Sequence, residues 1–289
     1  MSVDLRELLG RFGGKTDAGI TVEPTDRSET VSGVEIADED PVEINCEPLD
    51  VSAWVDGIQN SVCLTWEQSL PICAHWTGAG GSDGANLVGV MERLYIISGE
   101  KIKQAVERRC QGIEIEAEYV PGDEPYQIMR NIAQHLAETR DECERELVKQ
   151  LLGTTPGYIV CDGSIASRPL DKRVVGVVKT TNTRYFTDET QLWSLPQGWR
   201  SSRFKIPAAK NRGREVHSCY VRLQDATKRG WDFGLVRVES FERDLLEPLA
   251  SLILKVAQDG SRRDERWDRH VLPIKNTEEL LRSRRPALF

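Results

Sequence analysis

Tyr158-Ile159-Val160-Cys161-Asp162-Gly163-Ser164 is the stretch on which the reading of this chain turns. Its apolar run is short and uninterrupted, which predicts a buried strand over Tyr158–Cys161. The run ends on Asp162-Gly163, so a carboxylate stands at the strand end and a glycine lets the backbone turn and a ligand approach. Just upstream, Ile132, Leu136, Cys143, Leu147 and Leu151 recur at helical spacing. They predict the longest helix of the chain, from about Tyr126 to Leu152, with Gly153 as its stop. A long helix delivering the chain into a buried strand is the crossover of an α/β sheet.

Toward the N-terminus, short strands are predicted at Val51–Val55, Ser61–Trp66, Pro71–Trp76 and Leu87–Ile97. Asp56-Gly57 ends the first, and residues 77–85, TGAGGSDGA, read as a flexible loop, so the whole is a β-meander. A helix over 101–111 and a strand over Ile113–Val120 lead into the long helix. Downstream come a strand at Val174–Val178 followed by Lys179, an irregular stretch over 184–215, and strands over 216–223 and 233–239. Helices over 243–258 and 277–284 follow. The expected fold class is α/β, a mixed sheet flanked by helices. One domain is expected over 46–289. Ahead of it, residues 1–45 combine an amphipathic stripe of Leu5, Leu8, Leu9 and Phe12 with a polar, acidic linker arm. That stripe is expected to dock on a partner.

Composition narrows the class. The 289 residues are 39% hydrophobic and 29% charged, as in a soluble protein with a real core. No run approaches the roughly 18–20 apolar residues of a membrane span, and the first residues lack the pattern of a secretory signal. A cytoplasmic protein with no membrane partner is the expectation. The seven cysteines are odd in number and form no C-x-x-C pair, which argues against a disulfide framework and a structural zinc site. The net charge of −8 argues against a protein that coats nucleic acid by charge alone, although it is compatible with a carboxylate-rich metal site. Acid concentrates in residues 35–50, and arginine in 262–285.

The chemistry lies in the carboxylates. Ala53-Trp54-Val55-Asp56-Gly57 repeats the form of Ile159-Val160-Cys161-Asp162-Gly163. Two such aspartates on neighbouring strands can converge on one divalent cation, since Mg²⁺ and Mn²⁺ take hard oxygen ligands. The plainer alternative is that each Asp-Gly only makes a turn. On the long helix, Glu144 lies near the apolar stripe, while Glu142 and Glu146 lie further round. In 184–215, Trp193, Trp199, Arg200, Arg203, Lys205, Lys210, Arg212 and Arg214 either line a path for single-stranded DNA or form a surface loop packed on the core.

These segments, in order, resemble the motifs of the NurA family of DNA-end-processing nucleases. Val55-Asp56-Gly57 is similar to the family's first motif, and Arg140-Asp141-x-x-Glu144 to its helix motif. Ile159–Ser164 is similar to its second aspartate strand, Val174–Lys179 to its lysine-ended strand, and Leu235-Val236-Arg237-Val238-Glu239 to its late Arg-x-Glu strand. The resemblance implies an RNase H-like fold and Mn²⁺- or Mg²⁺-dependent cleavage of DNA. It also implies a homodimer working with a HerA-type hexameric translocase ATPase, in DNA end processing, repair or antiviral defence. Carried over by motif, Asp56, Glu144 and Asp162 would bind metal, and Lys179 would neutralise charge on the scissile phosphate. The family's Tyr-Pro motif and following histidine are replaced here by Leu272-Pro273 and Leu280. Glu279 is then the expected fourth metal ligand, with Glu278 and His270 as alternatives. A subunit of this fold that has lost activity and serves as an adaptor for a translocase is the competing expectation.

Overall fold

The computed structural model of the chain describes residues 10–11, 31–37, 39–179, 183–186, 188–208, 213–227, 230–261, 269 and 271–287. The stripe Leu5, Leu8, Leu9 and Phe12, the arm residues 15–30, Lys210, Arg212 and His270 lie outside them. So do Arg262, Arg263 and Arg266.

Local sequence accounts for most elements. The meander forms as β3 (Val51–Glu67), β4 (Leu70–Ser82) and β5 (Leu87–Gly99), preceded by the two-residue strands β1 (Glu35–Ile36) and β2 (Val42–Glu43). Helix α1 (Lys103–Cys110) and β6 (Glu116–Val120) lead into α2 (Pro125–Thr154), which starts on Pro125, a residue whose missing N–H costs nothing in the first turn. Then follow β7 (Tyr158–Asp162), β8 (Val174–Val178), the one-turn helix α3 (Thr190–Trp193), β9 (Trp199–Arg200) and β10 (Phe204–Ile206). The remaining elements are β11 (Val216–Arg222), β12 (Leu235–Ser240), α4 (Leu246–Ser261) and α5 (Leu272–Arg282).

The strands form one 12-stranded sheet in the order β1-β10-β11-β12-β8-β7-β3-β4-β5-β6, with β9 joining β11 to β2. At its centre, β5, β4 and β3 are antiparallel, and β7 and β8 run parallel to β3. A three-strand meander, a crossover helix and two parallel strands make the RNase H-like arrangement, with helices on both faces. The arm is partly built into the sheet, since β1 pairs with β10 and β2 with β9. No described helix is long and apolar enough to cross a membrane. All seven cysteines are unbridged.

Two expectations fail in the meander. Asp56-Gly57 is not a strand end, because β3 runs unbroken to Glu67 and turns only at Gln68-Ser69, both at positive φ. Residues 77–82 are strand rather than loop. The reason is packing on both faces of β4. A Cβ on Gly80 would lie 2.8 Å from Leu281 Cγ of α5, and one on Gly81 would lie 2.7 Å from Leu151 Cδ1 of α2. The glycines let two helices close on the sheet from opposite sides.

The core alternates as strand geometry requires. Ala53, Val55, Ile159 and Cys161 face α2 and meet Cys143, Leu147, Val148 and Leu151. Trp54, Val160 and Val175 face the other way, toward Leu249 and Ile253 of α4 and Ile274 of α5. The first half of α2 packs into a separate core, with Ile128, Ile132 and Leu136 against Ile72, Tyr95 and Ile97. Each fully buried Val, Leu or Ile among these contributes about 1.5–3 kcal/mol. Between its two packed halves α2 crosses β3 beside Asp56, and the cleft opens there.

Candidate active site

The cleft has a volume of about 440 Å³ and is lined by Asp56, Arg140, Asp141, Glu144, Asp162, Arg168 and Lys179, with Gly163, Ser164, Ala166 and Ser167 of the turn after Asp162. The pairing of β3 with β7 ends at Val55–Cys161, so Asp56 and Asp162 each stand one residue beyond it. Asp162 accepts a 2.9 Å hydrogen bond from Lys179 Nζ at the end of β8. Asp56 Oδ1 accepts from the Gly57 amide at 2.8 Å. Burial, followed by the neighbouring Asp162 carboxylate, pushes the Asp56 carboxyl up to about 7; Glu144 adds to the shift and Lys179 opposes it.

Glu144 comes from the opposite face of the sheet. Glu142 is exposed and Glu146 half-buried, each paired with a basic neighbour on α2, whereas Glu144 is 6% exposed. Its carboxylate rests directly on Gly57, where a Cβ would lie 2.8 Å from its Cδ and Cγ. Gly57 therefore serves close approach within a strand, and any larger residue would displace the acid. Burial raises the Glu144 pKa, and Arg168 and Arg140 pull against that rise. Arg168, 3% exposed, donates to Glu144 and, at 2.6 Å, to Asp141 Oδ1. Arg140 Nε stands 3.6 Å from Glu144 Oε1.

Asp162 is held by the turn that follows it. Gly163 takes φ +88°, and its amide donates to Val177 O at 2.8 Å. Glu239 of β12 is fully buried, and its Oε2 accepts from Ser164 Oγ and the Ile165 amide, both at 2.9 Å. Its other oxygen pairs with Arg237, whose guanidinium lies 4.6 Å from the Tyr185 ring centre. Gly176 leaves room for this turn, since a Cβ there would meet Gly163 O at 2.7 Å.

The fold thus brings Asp56, Glu144, Asp162 and Lys179 into one cleft. Glu279 is exposed on α5 and is not among the residues lining it, while Glu278 is paired with Lys275 and Arg282. Among the described residues, no three His, Cys, Asp or Glu side chains converge as a ready metal-ligand set. Asp56 and Asp162 still suit a hard divalent cation, because their mutual repulsion is what such an ion relieves.

No family model matches the chain, and neither does any curated protein. Among solved structures it is similar to the NurA nuclease from Sulfolobus solfataricus, at 13% identity and a TM-score of 0.48, over 83% of this chain and 81% of that one. It is also similar to the catalytic domain of human endonuclease V, at 15% identity and a TM-score of 0.35, over 86% of this chain and 89% of that one. The likeness is one of fold.

Sequence reasoning missed Arg168 and the task of Glu239. Arg168 carries no motif signal. It lies six positions beyond Asp162, and only the turn brings it back to α2. In the 184–215 stretch three of the singled-out cations are held in ion pairs. Arg200 and Arg203 pair with Glu39, and Lys205 pairs with Glu35 and Glu215. Arg214 donates to the Arg168 carbonyl, and Trp193 is exposed.

Proposed function

We propose that the cleft is the active site of a divalent-metal-dependent deoxyribonuclease that hydrolyses phosphodiester bonds. The observation that carries this reading is the meeting of Asp56, Asp162 and Glu144 with Lys179 in one open cleft, where the Asp56 carboxyl is pushed up to about 7 by burial and Asp162. Asp56 and Asp162 would hold Mn²⁺ or Mg²⁺, and Glu144 would complete the set. When bound, the ion would supply acidification of water and stabilisation of the leaving oxygen. Lys179, now on Asp162, stands where it can meet the charge of a scissile phosphate. Glu239 keeps the turn after Asp162 in place, and Gly57 keeps Glu144 against the strand. DNA as substrate, a homodimer, a HerA-type hexameric ATPase partner and a role in end processing or antiviral defence belong to the same proposal. They rest on the motif resemblance.

The test is cleavage of linear DNA by the purified chain with Mn²⁺, with Mg²⁺ and with chelator. Asp56→Asn and Asp162→Asn should each abolish cleavage while leaving the melting transition cooperative. Near-wild-type cleavage by either variant removes that residue from the mechanism. Two observations favour a second reading, an inactive adaptor subunit: Glu144 is engaged by Arg168, and Glu279 stands outside the cleft. Absence of metal-dependent cleavage, with retained binding to a hexameric ATPase, would select it.

A further inference from the structure

We propose that Arg168 is a positioning residue that holds Glu144 and competes with a divalent cation for it, and so sets how tightly the cleft takes such an ion. This rests on the metal-dependent reading above. A carboxylate as buried as Glu144 needs a counter-charge, or it costs several kcal/mol. Arg168 is the buried cation that meets it, whereas the Arg140 side chain is 44% exposed and only 3.6 Å away at its nearest. Glu144 Oε1 lies over Gly57 and toward Arg140, while Oε2 is covered by the Arg168 guanidinium. An ion binding through Oε2 must displace that guanidinium.

Arg168 has a second seat close by. Its Nη1 donates to Asp141 Oδ1 at 2.6 Å, to the Asp141 carbonyl at 3.3 Å and to Ser167 Oγ at 3.0 Å. Asp141 is itself fixed by a 2.7 Å bond from Ser167 Oγ. The buried Nε of Arg168 has no hydrogen-bond partner among the described residues, so turning the guanidinium toward Asp141 breaks no bond at that atom. The backbone beneath is pinned by Arg214, which donates to the Arg168 carbonyl. The geometry is that of a fixed pivot with two carboxylate seats, one of which a cation can claim. With an ion bound there, Glu144 would exchange the Arg168 guanidinium for a divalent partner, and Arg168 would keep its bonds to Asp141.

The experiment is calorimetric titration of the full chain with MnCl₂, alongside melting curves with and without Mn²⁺. For Arg168→Gln the competitor is gone, and Mn²⁺ should bind roughly tenfold more tightly than to wild type. Without metal this variant should melt lower than wild type, and its Mn²⁺-induced rise in Tm should be larger. A residue that only fastens the turn to α2 would do the opposite, because its loss would disorder the ligands and weaken binding. Unchanged or weaker Mn²⁺ affinity in folded Arg168→Gln therefore overturns the proposal. If that variant does not fold, Asp141→Asn decides. Loss of the second seat should hold Arg168 on Glu144 and weaken Mn²⁺ binding severalfold, and unchanged affinity overturns the idea. Wild-type protein that binds no Mn²⁺ overturns the metal reading and this inference together. Wild type that binds Mn²⁺ with no response in the variants overturns this inference alone.

Discussion

Asp56-Gly57 and Asp162-Gly163 are the same dipeptide in two different states. At Asp162 the glycine turns the chain, with φ at +88° and open space where a Cβ would be. At Asp56 the glycine stays within a 17-residue strand, and its missing side chain is the seat of Glu144. Asp162 has Lys179 at 2.9 Å, whereas Asp56 has no ion pair among the described residues and carries a raised pKa. A dipeptide therefore does not define a role. What lies across the sheet from it does.

The largest expected effect tests the acid that separates the two states. Glu144→Gln should lower metal-dependent cleavage by at least about 100-fold, and Glu142→Gln by no more than about twofold, because only the former faces the cleft. Equal losses in steady-state assays would dissolve the distinction between the two faces of α2.

Gly57→Ala should follow, with a fall in cleavage of about tenfold to 100-fold from displacement of Glu144, and a destabilisation of about 1–3 kcal/mol from overpacking. Urea denaturation and initial rates measured on one preparation would check both.

A smaller effect concerns pH. A carboxyl whose folded pKa is raised binds its proton more tightly folded than unfolded, so its contribution to stability is lost as pH rises from about 4 through the folded value near 7. Asp56→Asn removes that loss. In chelator, its Tm advantage over wild type should grow across this window and level off above it, reaching roughly 5 °C. A flat difference with pH would mean that Asp56 is neither buried nor held against Asp162 in this way.

The smallest effect is expected at the other dipeptide. Gly163→Ala strains a left-handed residue at a cost of about 1 kcal/mol but meets no neighbour, so cleavage should stay within about threefold of wild type. A loss as large as that of Gly57→Ala would erase the contrast between the two glycines.

The legible parts of the fold were those written in local pattern. The period of Ile132, Leu136, Cys143, Leu147 and Leu151 placed α2 and turned Glu144 inward, and the run before Asp162 placed β7. The continuity of β3 was not legible, because it is decided by β4 pairing and by Glu144 lying on Gly57, both remote in sequence. The strand character of residues 77–82 was hidden for a related reason. Glycines there look like a loop until Leu281 and Leu151 arrive from opposite faces. Arg168 was invisible because its partners, Asp141 and Glu144, lie on the preceding helix and only the turn after Asp162 returns it to them.

The parallel pairing of β3 with β7 also sets an order in time. The meander joins neighbours in the chain, so β3, β4 and β5 can zip together as soon as they leave the ribosome. The contact that brings Asp162 beside Asp56 must wait, for Ser52 bonds the Gly157 amide across 105 residues. Glu239, which clamps the turn after Asp162, is synthesised later still. Pairing of the hairpins therefore precedes assembly of the cleft. The cleft is thus assembled only once the chain has been made as far as Glu239.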